Sequence, residues 1–121
     1  MAKILFIDDR LNEVTHQWQY SGCENDHELL PLEPFKSIER TGQLVKLFRP
    51  DVIVVGYGLS NPEITGTDVI CALRNQGFCG CVIANSGGGS DQFIQTGVRV
   101  DANVDRNAVR LKQALEILTR R

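Results

Sequence analysis

Four β-branched residues in succession, Val52-Ile53-Val54-Val55, constrain this chain more than any other feature. A strand with one wet face alternates apolar and polar residues, so a run without alternation has to be covered on both sides. The segment Pro50 to Val55 (PDVIVV) is therefore expected in the middle of a sheet. Lys3 to Ile7 (KILFI) has the same two-sided character and ends on two carboxylates, Asp8 and Asp9. A sheet buried on both faces needs helices on both faces, and parallel strands joined by helices supply them.

The remaining segments fit that demand. Leu11, Val14 and Trp18 recur at helical spacing, which predicts a helix over Asn12 to Tyr20 stopped by Ser21-Gly22. His27 to Leu32 (HELLPL) reads as a strand, but Pro31 cannot donate to a central ladder and places it at an edge. A second helix is expected over Ile38 to Phe48 with Leu44, Leu47 and Phe48 inward. Gly56 to Pro62 reads as a loop. Thr67 or Asp68 is expected to cap a helix with the stripe Val69, Ile70, Leu73, ended by Gly77. Cys81 to Ala84 makes the fourth strand, Asp91 to Thr96 a short helix, and Ala102 to Val104 a weak fifth strand. Leu111, Ala114, Leu115 and Leu118 define a last helix that runs into Arg120 and Arg121, cations suited to its C-terminal dipole.

Five strands alternating with five helices imply right-handed crossovers and a doubly wound five-stranded parallel sheet. The edge proline of the second strand and the central character of the first and third give the order 2-1-3-4-5, whose switch point lies between strands one and three. Asp8, Asp9 and Gly56 stand at the carboxyl ends of those two strands, where such sheets bind ligands.

At 121 residues the chain is expected to form a single domain over residues 1–121. Hydrophobic content of 42% and charged content of 23% exclude a disordered or coiled-coil chain. A net charge of −2 argues against a nucleic-acid partner. No run reaches the roughly 20 apolar residues of a membrane span, and MAKILFIDD meets two aspartates too early for a signal-peptide core, so a cytoplasmic address is expected. Cys23, Cys71, Cys79 and Cys81 contain no C-x-x-C pair and are read as reduced, mostly buried thiols, with Cys71 and Cys81 shielded and Cys79 the most reactive. Cys79-Gly80-Cys81 is the one spacing that admits a redox reading.

Taken together these blocks resemble the response-regulator receiver domain, the CheY-like module of two-component signalling, whose fold is flavodoxin-like. ILFIDD is similar to the first-strand motif whose paired acids bind Mg²⁺. RPDVIVVGYGLSNPEITGTDVICALR is similar to the third-strand and third-helix block, and CVIANSG to the fourth strand with its hydroxyl-plus-small pair, here Ser86-Gly87. DANVDRN is similar to the fifth-strand region, with Arg106-Asn107 where the family has Lys-Pro. The resemblance implies metal ligands at Asp8, Asp9 and the carbonyl of Gly58, a switch hydroxyl at Ser86, and a charge-keeping substitute for the family's lysine at Arg106. At the phosphoacceptor position it finds Gly56, which has no atom to attack with.

The resemblance therefore implies a degenerate pseudo-receiver that is not an enzyme, cannot be phosphorylated at Gly56, and acts through protein–protein contact. Its partner would be a histidine kinase, another signalling protein or a second copy of the chain, met on the first helix or on the face formed by the fourth helix, fifth strand and fifth helix. Two acids without the third leave at most weak Mg²⁺ binding, and no other cofactor is implied. The competing readings are a small-molecule or redox sensor using the vacated pocket or the Cys79 and Cys81 thiols, and a response regulator phosphorylated at an atypical site. Plainer roles stand beside these: Asp9 as a helix cap, Asp8 bonded to loop amides or to Arg106, Ser86 capping a loop, residues 86–90 (SGGGS) as a flexible loop rather than an anion nest, and Arg106 merely solvated. Trp18 reads as a core anchor, His16 and His27 as surface residues, and Tyr57 and Leu59 as contacts beside the vacated position or simply a cover for the sheet end. The switch relay looks dismantled, because Asn103 and Val104 occupy the region where receivers place an aromatic.

Overall fold

The computed structural model describes residues 2–8, 11–32, 38–56, 58–61, 64–85 and 100–119. In chain order the elements are β1 (Ala2–Ile7), α1 (Leu11–Ser21), β2 (His27–Leu32), α2 (Ile38–Phe48), β3 (Val52–Val55), β4 (Gly58–Asn61), β5 (Ile64–Thr65), α3 (Gly66–Asn75), β6 (Cys81–Ala84), β7 (Ala102–Asn103) and α4 (Ala108–Leu118). Five strands form one parallel sheet in the order β2-β1-β3-β6-β7. Counted over those five strands this is 2-1-3-4-5, the doubly wound arrangement expected from the sequence.

Strand periodicity divides the core in two. Leu5, Ile7, Ile53, Val55, Val82 and Ala84 point to one face and pack with Val45 of α2 and Val69, Ile70 and Leu73 of α3. Ile4, Phe6, Val52, Val54 and Ile83 point to the other and pack with Val14 and Trp18 of α1 and Leu111 and Leu115 of α4. All four residues of β3 are buried, as a strand flanked on both edges and both faces must be. The Trp18 ring meets Phe6 edge-on, centroids 6.0 Å apart and planes at 85°, the arrangement favoured by the ring quadrupoles. Pro31 lies in β2 at the sheet edge, opposite Phe6.

Several local expectations are corrected. Leu47 is 82% exposed, and the buried stripe of α2 runs through Thr41 and Val45 instead. The loop after β3 contains an antiparallel hairpin, β4 with β5. α3 begins two residues early, capped by Thr65, whose N–H donates to the Asp68 carboxylate at 2.9 Å; neither Thr67 nor Asp68 is the cap. Its end is as expected: Gly77 takes φ 97°, and Gly77 N and Phe78 N donate to Arg74 O and Leu73 O, both at 3.0 Å, which closes the helix in a Schellman motif. Cys71 and Cys79 are exposed and Cys81 is half-buried, so only Cys23 is buried. Cys71 was expected inside but follows Ile70 by one residue, which turns it to the outer side of α3. The helix expected at 91–96 lies outside the described residues. Among the described residues no helix is long and apolar enough to cross a membrane.

Candidate functional site

The parallel ladders end in step, and this brings the site together. Gly56 N donates to Ile7 O at 3.0 Å, Asn85 N to Val55 O at 2.9 Å and Val104 N to Ala84 O at 3.0 Å. Asp8, Gly56, Asn85 and the turn after β7 thus meet at one edge, at the carboxyl ends of β1, β3, β6 and β7.

Asp8 is fully buried, at 0% exposure. A carboxylate there requires a compensating charge, and the Arg106 guanidinium provides it: Nη2 lies 3.5 Å from Asp8 Oδ1, while Nη1 lies 3.4 Å from Glu13 Oε2 on α1. The Arg106 side chain is only 23% exposed, so the pair is weakly screened. Of the two roles open to Arg106 in the sequence, the geometry is that of the standing ion pair.

Gly56 is buried beside Asp8. A Cβ added to it would come within 2.8 Å of Asp8 Oδ2 and 3.3 Å of Asp8 Cγ. A side chain at position 56 would therefore require the Asp8 carboxylate to shift.

Behind the ion pair lies an amide couple. Gln17 Nε2 donates to Asn85 Oδ1 at 3.1 Å and Asn85 Nδ2 donates to Gln17 Oε1 at 2.9 Å; Asn85 Oδ1 also accepts Arg106 N at 2.9 Å. Gln17 is 8% and Asn85 0% exposed, and these mutual bonds satisfy the polar atoms they join. The couple fastens α1 to the end of β6 and to the turn that carries Arg106.

Sequence reasoning passed over Asn85, Gln17 and Glu13. Their signals were a polar amide directly after the apolar run CVIA, and two polar residues four apart that share the side of α1 next to Val14 and Trp18. Asp9, Ser86 and Tyr57 lie outside the described residues. Gly58 sits in β4 opposite Thr65. Asp51 is at the far edge of the sheet, as expected, its Oδ2 accepting Lys3 N at 2.8 Å. His16 is exposed, Trp18 is core, and Val104 is buried where receivers are expected to place their aromatic.

The described part of the donor set is incomplete for Mg²⁺, and Asp9 lies outside the described residues. Position 56 supplies no carboxylate, Asp8 already faces a cation at 3.5 Å, and no three ligating side chains converge among the described residues.

At the opposite, amino edge of the sheet lies a cleft of about 550 Å³ lined in part by Asp26, His27, Asp51, Cys79, Cys81 and Leu118. His27 is half-buried there, with Nδ1 accepting Ala2 N at 3.3 Å. Burial holds its imidazole below the usual value, a tendency that Asp26 and Asp51 oppose. Burial likewise pushes the Cys23 thiol up.

Among solved structures, the chain is similar to the chemotaxis protein CheY4 of Vibrio cholerae, with TM-score 0.75 and 18% identity over 98% of each chain. It is also similar to the receiver domain of the Francisella response regulator 1452, with TM-score 0.75 and 20% identity over 98% of this chain and 96% of that one. A response regulator receiver domain protein of Clostridium thermocellum matches with TM-score 0.74 and 18% identity over 98% and 94%. At these identities the likeness is one of fold. No family model matches the chain, and no curated protein matches it in sequence.

Proposed function

We propose that this chain is a receiver-like signalling domain that works without phosphoryl transfer at residue 56, by contact with a protein partner of a two-component pathway. One observation carries the reading: residue 56 has no side chain, and the Asp8 carboxylate, paired with Arg106, lies 2.8 Å from where a Cβ on it would stand. A receiver awaiting phosphate presents a carboxylate nucleophile with a metal beside it. Here the corresponding groups neutralise one another, and the Gln17–Asn85 couple braces them. The arrangement suits a surface held in one state and read by a partner such as a histidine kinase, rather than a catalytic centre.

A sensor reading is favoured by a different place than the sequence suggested. Asp8 crowds the position beside Gly56, whereas a cleft at the amino edge is lined in part by Cys79 and Cys81. Phosphorylation at an atypical position has no comparable support among the described residues.

Titration of isotope-labelled protein with beryllofluoride and Mg²⁺, followed by amide NMR, tests the main reading. The expected result is an unchanged spectrum at Asp8, Gly56, Asn85 and Arg106. Saturable shifts at those residues would show a competent acceptor site and overturn it.

A further inference from the structure

Between β7 and α4 the chain turns through Val104-Asp105-Arg106-Asn107, and this turn is strained. Asp105 and Arg106 take consecutive left-handed φ angles of 47° and 59°. Aspartate visits that region with some tolerance, but arginine gains nothing there that glycine would not gain more cheaply. Two polar atoms at the same place, Asn103 Nδ2 and Asp105 Oδ1, are buried without a hydrogen-bond partner. Left-handed non-glycine residues and unsatisfied buried atoms persist only where surrounding contacts over-determine the local conformation.

Those contacts are identifiable, and the outer ones are remote in sequence. Arg106 N donates to Asn85 Oδ1 at 2.9 Å, and the Arg106 guanidinium reaches Asp8 at 3.5 Å and Glu13 at 3.4 Å. The inner contacts are local: Asp105 N to Asn103 Oδ1 at 3.1 Å, Arg110 Nη1 to Asp105 Oδ2 at 2.6 Å, and Asn107 N to Val104 O at 2.8 Å. Asn107 then caps α4 by accepting Arg110 N at 3.0 Å, so the turn and the first turn of the helix share one set of bonds. The strained turn thus lies beside the ion pair and leads directly into α4.

We propose that the β7–α4 turn is a two-state element, held wound by Asn85 and Asp8 and relaxing out of the left-handed region when either hold is lost. Relaxation draws Arg106 away from Asp8 and loosens the start of α4, where Val109 is already 64% exposed. A partner that binds the relaxed turn more tightly shifts the population toward it, which provides a switch without a phosphate. The element belongs to the same site as the proposed docking function but operates in the free domain, so its test is independent of any partner.

The test is amide hydrogen exchange by NMR at Asn107, Arg110 and Leu111, referenced to the amides of β1 and β3. Asn85→Ala is expected to speed exchange at those three positions by about tenfold beyond any change in the sheet, the loss of roughly one hold. Adding Asp105→Gly to Asn85→Ala is expected to give slower exchange than adding Asp105→Ala, because both lose the Arg110 contact and only glycine adopts the left-handed conformation without strain. A glycine double variant that exchanges as fast as the alanine one, or uniform acceleration across sheet and turn, would overturn the proposal. Should Asn85→Ala not fold, Asp105→Gly against Asp105→Ala decides the matter. Both delete the carboxylate and differ at the left-handed position, so the glycine variant is expected to exchange more slowly at Asn107 and Leu111 and to melt higher, and the reverse order would overturn the proposal.

Discussion

The carboxylate of Asp8 crowds Gly56, its Oδ2 2.8 Å from where a Cβ on that glycine would stand. The two residues are coupled: the glycine makes room for the acid, and the acid, fixed by Arg106, keeps the position closed. Placing a side chain at position 56 therefore requires Asp8 to move.

Gly56→Ala is expected to lower stability by about 1–3 kcal/mol, since a buried carboxylate has to shift to admit a methyl group. The penalty should shrink in an Asp8→Ala background, and the double-mutant cycle in denaturant measures that coupling. Gly56→Asp should be worse than Gly56→Ala, because it adds like charge, and should gain no Mg²⁺ binding by calorimetry. Equal penalties in both backgrounds would contradict the coupling.

Arg106→Met removes the guanidinium 3.5 Å from the buried Asp8 carboxylate and is expected to cost about 2–4 kcal/mol. Arg106→Lys should cost less than half as much. Combining Arg106→Met with Asp8→Asn should recover part of the loss, whereas strict additivity would mean that the 3.5 Å pair carries no net interaction.

Burial keeps the His27 imidazole below its ordinary value of 6.5, so the unfolded chain takes up that proton first as pH falls. The stability associated with neutral His27 is complete above that value and is lost as pH drops through it toward the lower folded-state value. Melting temperatures measured between pH 7 and pH 5 should fall more steeply for the parent than for His27→Gln. Parallel curves would contradict the shift.

Under native conditions Cys71 and Cys79 should be alkylated first, Cys81 more slowly and Cys23 last, in the order of their exposure. Burial also holds the Cys23 thiol protonated, which adds to its protection. Peptide mapping after timed labelling reads the order, and early modification of Cys23 would show that its face of the core opens.

Much of the fold was legible because a few residues admit one reading. The unbroken VIVV run demanded a central strand, Pro31 demanded an edge, and Gly77 a left-handed helix stop. On α2, Phe48 packs on the core as expected, but Leu47 was misread, because packing on the sheet selects Thr41 and Val45 and turns Leu47 outward. The hairpin after β3 escaped notice because its strands are short and polar. At the site, Asp8, Gly56 and Arg106 were legible from the resemblance, and the amide couple was not. A Gln on a helix and an Asn 68 residues later carry no local pattern, and only the ladder register that brings Asn85 beside α1 makes them partners.

Incubation with acetyl phosphate and Mg²⁺ followed by intact mass spectrometry tests the closed acceptor position most directly. The account predicts that the mass stays that of the unmodified chain throughout a time course that labels a conventional receiver to completion. A gain of one phosphoryl group, mapped to Asp8, Asp9 or any other residue at the carboxyl edge of the sheet, would contradict it.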